Sequence, residues 1–157
     1  MWKDFILTQT SEAKKHRESS FGFLVQTLAK RLDITMRDEL KAYDVDLKIF
    51  ANLMFLSEKD GVNQREIGNE LNFPEYYTSR NVDALVDLGY AERRPDPNSR
   101  RSFLIFLTPA GKAKAKQLPP VIKHVNSQIL ADLSDSEQKQ VVSLLQRVAG
   151  VDRSSMD

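Results

Sequence analysis

The sequence predicts an α+β chain, mainly helical with one small β-hairpin. Through most of the 157 residues, apolar side chains recur at steps of three and four, the spacing of an amphipathic helix. Between Tyr90 and Leu107 that rhythm stops, and two short runs flank a Pro-Asp-Pro-Asn-Ser stretch suited to a turn. A composition of 41% apolar and 29% charged residues, with only six Gly and six Pro, marks the whole as globular.

The elements follow in order. From Ser19 or Ser20 to about Tyr43, Phe21, Val25, Leu28, Leu32, Met36 and Leu40 form one helix face sustained over six turns. So long a stripe near a terminus needs a partner to cover it, which points to a homodimer. A second helix over 45–59 carries Leu47, Phe50, Ala51 and Met54 on one side and ends at Gly61. Asn63-Gln64-Arg65-Glu66 resembles a capping box and opens a short helix over 64–71, with Ile67 and Leu71 inward. Asn72-Phe73-Pro74 breaks the chain, Pro74 starts a further helix, and Gly89 stops it after Leu88. Residues 90–94 and 102–107 are the two strands, with a basic tip between them. Thr108-Pro109 caps another helix. Pro119-Pro120 must bend or break it before it resumes over 121–133. Ser134-Asp135-Ser136-Glu137 is a capping box opening a last helix to about Val148, and Gly150 and a polar tail follow.

Two helices of about eight and fifteen residues across a turn of about three are the sequence form of a helix-turn-helix. The hairpin behind them reads as the wing of a winged helix. Two regions follow. Residues 1–44 and 109–157 form a helical dimerisation region, and residues 45–108 form the winged helix-turn-helix.

Composition excludes much else. There is no cysteine, so disulfides, zinc fingers, thiol nucleophiles and thiol redox sensing fall away. His16 and His124 lack acidic neighbours at ligand spacing, so no metal site is expected. No phosphate loop, nucleophile motif or paired carboxylate set stands out, so neither a cofactor nor catalytic residues are expected. The longest apolar run, residues 103–107, is far too short to span a membrane. The first twenty residues are charged without an apolar core, so no secretory signal is expected and cytoplasmic location is the default. Trp2, Phe5, Phe21 and Phe23 suit either a hydrophobic pocket or a dimer core.

A net charge of +1 conceals a separation. Residues 74–116 hold eight Lys/Arg against five Asp/Glu, so this segment carries +3 and the remainder −2. The basic part is also the part with the helix-turn-helix and the hairpin, which marks duplex DNA as the partner. On the second helix of that motif, Val82, Leu85, Val86 and Thr78 share one face, leaving Tyr76, Tyr77, Ser79 and Arg80 outward on its first turns. Tyrosine can touch a thymine methyl or a phosphate, serine a phosphate, and arginine a guanine edge. Arg93, Arg100 and Arg101 supply the hairpin's share, suited to the negative potential of a narrow minor groove.

Residues 78–93, Thr-Ser-Arg-Asn-Val-Asp-Ala-Leu-Val-Asp-Leu-Gly-Tyr-Ala-Glu-Arg, resemble the recognition helix and first wing strand of MarR-type transcriptional regulators. Residues 96–101 leading into Leu107-Thr108-Pro109-Ala110-Gly111 resemble that family's wing and next helix, and the order of elements fits from about residue 20 to 149. The resemblance implies a homodimer with interlocked terminal helices and two winged helices on a palindromic operator. It also implies repression relieved by a small aromatic or phenolic ligand. Carried over by position, Ser79 and Arg80 are groove contacts and Arg101 enters the minor groove. Two departures stand out: Ser99 replaces an acidic wing residue, and Pro119-Pro120 interrupts a helix that is usually continuous. Two rivals remain on the sequence alone: a winged-helix protein-interaction module without DNA binding, favoured by Ser99, and a small enzyme.

Overall fold

The computed structural model describes residue 12 and residues 14–150. Trp2 and Phe5, and the polar tail after Gly150, lie outside the described residues.

Helix α1 runs over Phe21–Leu40 from Ser20 and closes in a 3-10 turn at Lys41–Tyr43. Its stripe divides. Leu40 is buried, and Leu32 and Met36 pack on the core, whereas Phe21, at 61% exposure, and Leu24, Val25 and Leu28 stand in solvent. Helix α2, Leu47–Glu58, is capped by Asp46, whose carboxylate accepts from Lys48 N at 2.9 Å. Its most deeply buried side chains are Ile49, Asn52, Leu53 and Leu56. Leu47, Phe50 and Met54, which the apolar spacing places on one side with Ala51, pack at the margin of the core. The helix is apolar around much of its circumference because α1, the helix Glu75–Asp87 and the strand Ser99–Leu107 all pack against it, so periodicity alone does not select the deepest face.

Helix α3, Gln64–Leu71, begins at Asn63, whose side chain accepts from Glu66 N at 2.9 Å. Only this half of the expected capping box is made, because the Glu66 carboxylate pairs with Lys59 instead. Asn72 takes a left-handed conformation (φ 52°), which asparagine tolerates better than most residues, and turns the chain into helix α4, Glu75–Asp87. Pro74 is the residue before the first turn of α4, and its carbonyl accepts from Tyr77 N and Thr78 N. Thr78, Val82 and Leu85 face inward as expected, joined by Asn81. Gly89, at φ 71°, ends α4: Gly89 N donates to Val86 O and Tyr90 N to Leu85 O, a reversal open to glycine at little cost.

The hairpin is longer than its sequence suggests. Strand β2 is Ala91–Asp96 and β3 is Ser99–Leu107, leaving only Pro97 and Asn98 as the tip, so the tip itself is not basic. Pro95, expected in the turn, pairs with Phe103 inside the ladder. It is tolerated because β2 is an edge strand. A third strand, β1 at Val62–Asn63, pairs antiparallel with β3 and makes β3 central; two residues are too short to show a period.

Helix α5, Pro109–Ala115, and helix α6, Pro119–Ile129, are separate. The two prolines do not kink α6; they occupy its first turn, where a missing N–H costs nothing. The break is pinned by Leu118, fully buried, with Ala115, Val121 and Val125 beside it in the core. Helix α6 packs along α1 and ends at Ile129, short of the expected residue 133. Helix α7, Asp135–Val148, carries the full capping box at Ser134 and Glu137. It buries no residue, and Val142, Leu144, Leu145 and Val148 are exposed.

The core is one cluster joining Leu40, Leu53, Leu56, Ile67, Val82, Leu85, Ile105 and Leu118 across the helices and the sheet. Each such side chain contributes about 1.5–3 kcal/mol on burial. A polar corner fixes where the sheet hands over to α5. Thr108 N donates to Tyr90 O at 3.0 Å, and Thr108 Oγ1 donates to Gly89 O at 2.6 Å while accepting from Gly111 N at 3.1 Å. A Cβ on Gly111 would lie 2.0 Å from Tyr90 O. Alanine is ordinarily better than glycine in a helix by about 1 kcal/mol. At this position the backbone clash outweighs that gain, so Gly111→Ala should lower stability by about 1–3 kcal/mol in chemical denaturation. A midpoint at or above that of the parent would contradict the close approach.

Candidate nucleic-acid interface

Helix α4 presents its outward face at its N-terminal end because α2 and α3 cover the other side. Tyr76 is 68% exposed. Tyr77 is half-buried, its ring set edge-on against Phe73 with centroids 5.0 Å apart, so its ring is held while the helix turn positions the hydroxyl. Ser79 is half-buried and Arg80 exposed. The four predicted residues therefore share one end of one helix, with Tyr77 the most constrained.

Seven of the eight cations of residues 74–116 fall into two groups, and Lys116 is exposed at the end of the helix after the wing. Arg93 Nη2 lies 2.6 Å from Asp83 Oδ1, tying β2 back to α4. Arg94 pairs with Glu92 and stacks on the Phe106 ring, 4.3 Å from its centroid. Lys112 is 2.9 Å from Asp60, whose other oxygen accepts from Leu107 N, and Lys114 donates to Tyr43 O. These four serve the fold. Arg80, Arg100 and Arg101 are exposed and have no ion pair or hydrogen bond among the described residues. A free guanidinium in solvent keeps its full capacity for phosphate or base edges.

The wing holds two of those three in an unusual way. Asp96 pairs with Ser99 and Pro95 with Phe103, so residues 100–102 form a bulge on β3. One carboxylate spans it: Asp96 Oδ1 accepts from Asn98 N at 2.8 Å, and Oδ2 accepts from Ser102 Oγ at 2.7 Å. Arg100 and Arg101 thus sit between two points, Ser99 in the ladder and Ser102 at the hydroxyl, both fixed on Asp96. This clasp stands where the usual acidic residue at position 99 is absent.

Sequence reasoning missed Arg65. It is exposed on the first turn of α3 and lines a groove of about 430 Å³ with Gln64, Glu75, Arg93, Arg101 and Phe103. Two unpaired guanidinium groups, Arg65 and Arg101, against one carboxylate make this groove favourable to an anion, and the N-terminus of α3 adds to it. The signal was present, since Arg65 directly follows the first residue of the leading helix. Arg65 lies outside the basic segment 74–116, so its part in the groove is visible only in the fold.

The Ser102 hydroxyl, then the Asn98 N–H, hold the Asp96 carboxyl below its ordinary value of 3.8. What this carboxylate lends the wing is present in full above that ordinary value and lost as pH falls through the lower one. Wing order should therefore be constant from pH 5 to 8, a range chosen about neutrality. Ser102→Ala should move the Asp96 titration upward in carbon-detected NMR; an unmoved titration would show that the hydroxyl does not hold it.

The MarR family model matches residues 50–102, from within α2 through the wing. The HTH-type transcriptional regulator BilQ of Clostridium symbiosum is 24% identical over 131 residues, covering 83% of this chain and 91% of BilQ. The crystal structure of a MarR transcriptional regulator from Methanosarcina mazei Go1 has a TM-score of 0.76 at 25% identity, over 82% of this chain and 93% of that one. A mutant of Escherichia coli MarR, solved in complex with operator DNA, has a TM-score of 0.75 at 24% identity, over 81% and 91% of the two chains. Its matched winged-helix segment, and its likeness in sequence and fold over about four-fifths of its length, make this chain similar to MarR-type winged-helix transcriptional regulators.

Proposed function

We propose that the protein is a homodimeric repressor that reads an inverted-repeat operator in duplex DNA, with α4 in the major groove and the wing in the flanking minor groove. The observation that carries this is the sorting of the basic residues. Arg93, Arg94 and Lys112 are paired with acids within the chain and Lys114 is bonded to the Tyr43 carbonyl, while Arg80, Arg100 and Arg101 stay free at the two places that meet DNA in this motif. Tyr76, Tyr77 and Ser79 complete the helix contacts, Arg65 adds a phosphate contact, and Arg93 acts by holding α4 and the wing in one orientation through Asp83.

The second copy covers the exposed half of the α1 stripe and the apolar side of α7, which this chain leaves bare. Residues 1–44 and 109–157 would form that dimerisation region. Two recognition helices related by a two-fold axis suit half-sites about 34–36 Å apart. No helix among the described residues is long and apolar enough to cross a membrane, and we place the regulator in the cytoplasm with the DNA. Its ligand, a small aromatic acid or phenol, would act by favouring a separation of the two α4 helices that no longer matches the half-sites.

Sedimentation at micromolar protein should give twice the chain mass of 17.9 kDa, and a single-chain mass would overturn the dimer. Duplexes enriched from a random library should carry an inverted repeat. On such a duplex Arg80→Ala should cost roughly 1–3 kcal/mol and relax preference at one base position. Arg101→Ala should weaken all duplexes alike and reduce the salt slope by about 1 per subunit. Undiminished affinity of the Arg80→Ala and Arg101→Ala proteins would leave the protein-interaction module as the better account.

A further inference from the structure

Two asparagines lie inside the interface between α2 and α4, and none of the DNA contacts proposed above uses them. Asn52 has no exposed surface and Asn81 only 2%. Asn81 Nδ2 donates to Asn52 Oδ1 at 3.2 Å, whereas Asn52 Nδ2 is buried without a partner. Their neighbours along the two helices, Leu53 and Leu56 on one and Val82 and Leu85 on the other, are fully buried and apolar. Burying an amide whose donor stays unsatisfied is costly, so two leucines, branched like asparagine but apolar, would make the more stable seam. What the amides supply is direction. Apolar side chains still meet after a helix slides or turns slightly, but a hydrogen bond is lost once its angle and length change. Among the described residues this is the only side-chain hydrogen bond from α4 to another helix.

Asn81 directly follows Arg80 and lies two positions beyond Ser79. A rotation of α4 that broke the amide bond would swing both outward side chains by the same angle. We propose that the Asn52–Asn81 pair is a positioning element that fixes the rotation and axial register of α4. It thereby sets discrimination between DNA sequences rather than affinity for DNA in general. This rests on the operator-reading function proposed above. Arg80 is placed by the pair, while Arg100 and Arg101, on the wing, are not.

The test compares the parent with two variants, Asn52→Leu/Asn81→Leu and Asn81→Ser. Each is titrated against the duplex that the parent enriches from a random library and against a shuffled duplex of the same composition. Salt is held fixed, and a thermal melt is recorded for each protein. The double leucine variant should melt at or above the parent temperature and bind the shuffled duplex as the parent does. Its preference for the enriched duplex should fall by about tenfold or more, the scale of one misread base pair. The serine variant, too short to span the gap, should lose preference likewise. Preference equal to the parent's in either variant overturns the proposal. So does loss of shuffled-duplex binding in both, which would make the pair a prop of the whole fold. A parent that shows no preference at all would overturn the operator-reading function itself, a result distinct from either.

Discussion

The Gly111 backbone lies against the Tyr90 carbonyl, closer than any side chain would allow, and three elements meet at that contact. Gly89 and Tyr90 close the recognition helix and open the first wing strand, while Thr108 and Gly111 close the second strand and open the helix that leads away. Thr108 bonds to both Gly89 and Tyr90. The angle between α4, the wing and α5 is therefore set by backbone and one hydroxyl, which are stiff, rather than by long side chains. A regulator whose two helices must match two half-sites needs such a joint, because an error at the joint grows with distance along the arm. The Leu-Thr-x-x-Gly pattern is the covalent record of that requirement.

From the joint outward, electrostatics divides the labour. Acids on the winged helix are not spread evenly. Asp83, Glu92 and Asp60 hold the cations at the base of the wing and on α5, and Asp96 holds the backbone and Ser102 rather than an arginine. Exposed ion pairs of this kind contribute little to stability, typically about 0–1 kcal/mol. Their larger effect is on where charge is left uncompensated. The guanidinium groups left without a partner in the winged helix are thus those at the wing bulge and on α4, Arg100, Arg101 and Arg80. Ser99 fits this pattern: an acid there would stand beside the two arginines that remain free, and the clasp between Asp96 and Ser102 orders the bulge without it.

Periodicity was informative where an element has one buried face and is long. Helices α1 and α4 are legible for that reason, and α3 and α7 because an apolar spacing follows a capping residue, Asn63 or Ser134. Strand β1 was not, because two residues hold no period and the strand exists only through pairing with Ile105 and Leu104, some forty residues away. The hairpin ends were misjudged because Pro95 looks like a turn residue and is tolerated only on an edge, a property of the sheet. At the site, outward positions on α4 followed from helical geometry. Which arginines are spent internally did not, since the Asp83–Arg93 and Asp60–Lys112 pairs are tertiary. Asn81, next to Arg80, gave no hint of burial, because its partner Asn52 lies on another helix.

The placement of the wing can be read directly, because the chain contains no cysteine and a single one introduced at the tip is unique. Asn98→Cys, carrying an iron chelate that generates hydroxyl radicals, would be bound to the enriched duplex and the cleavage positions mapped on both strands. Cleavage in two patches symmetric about the dyad, each flanking a half-site and offset between strands in the sense of the minor groove, is the result this account predicts. Uniform cleavage along the duplex, or cleavage offset in the sense of the major groove, would contradict it.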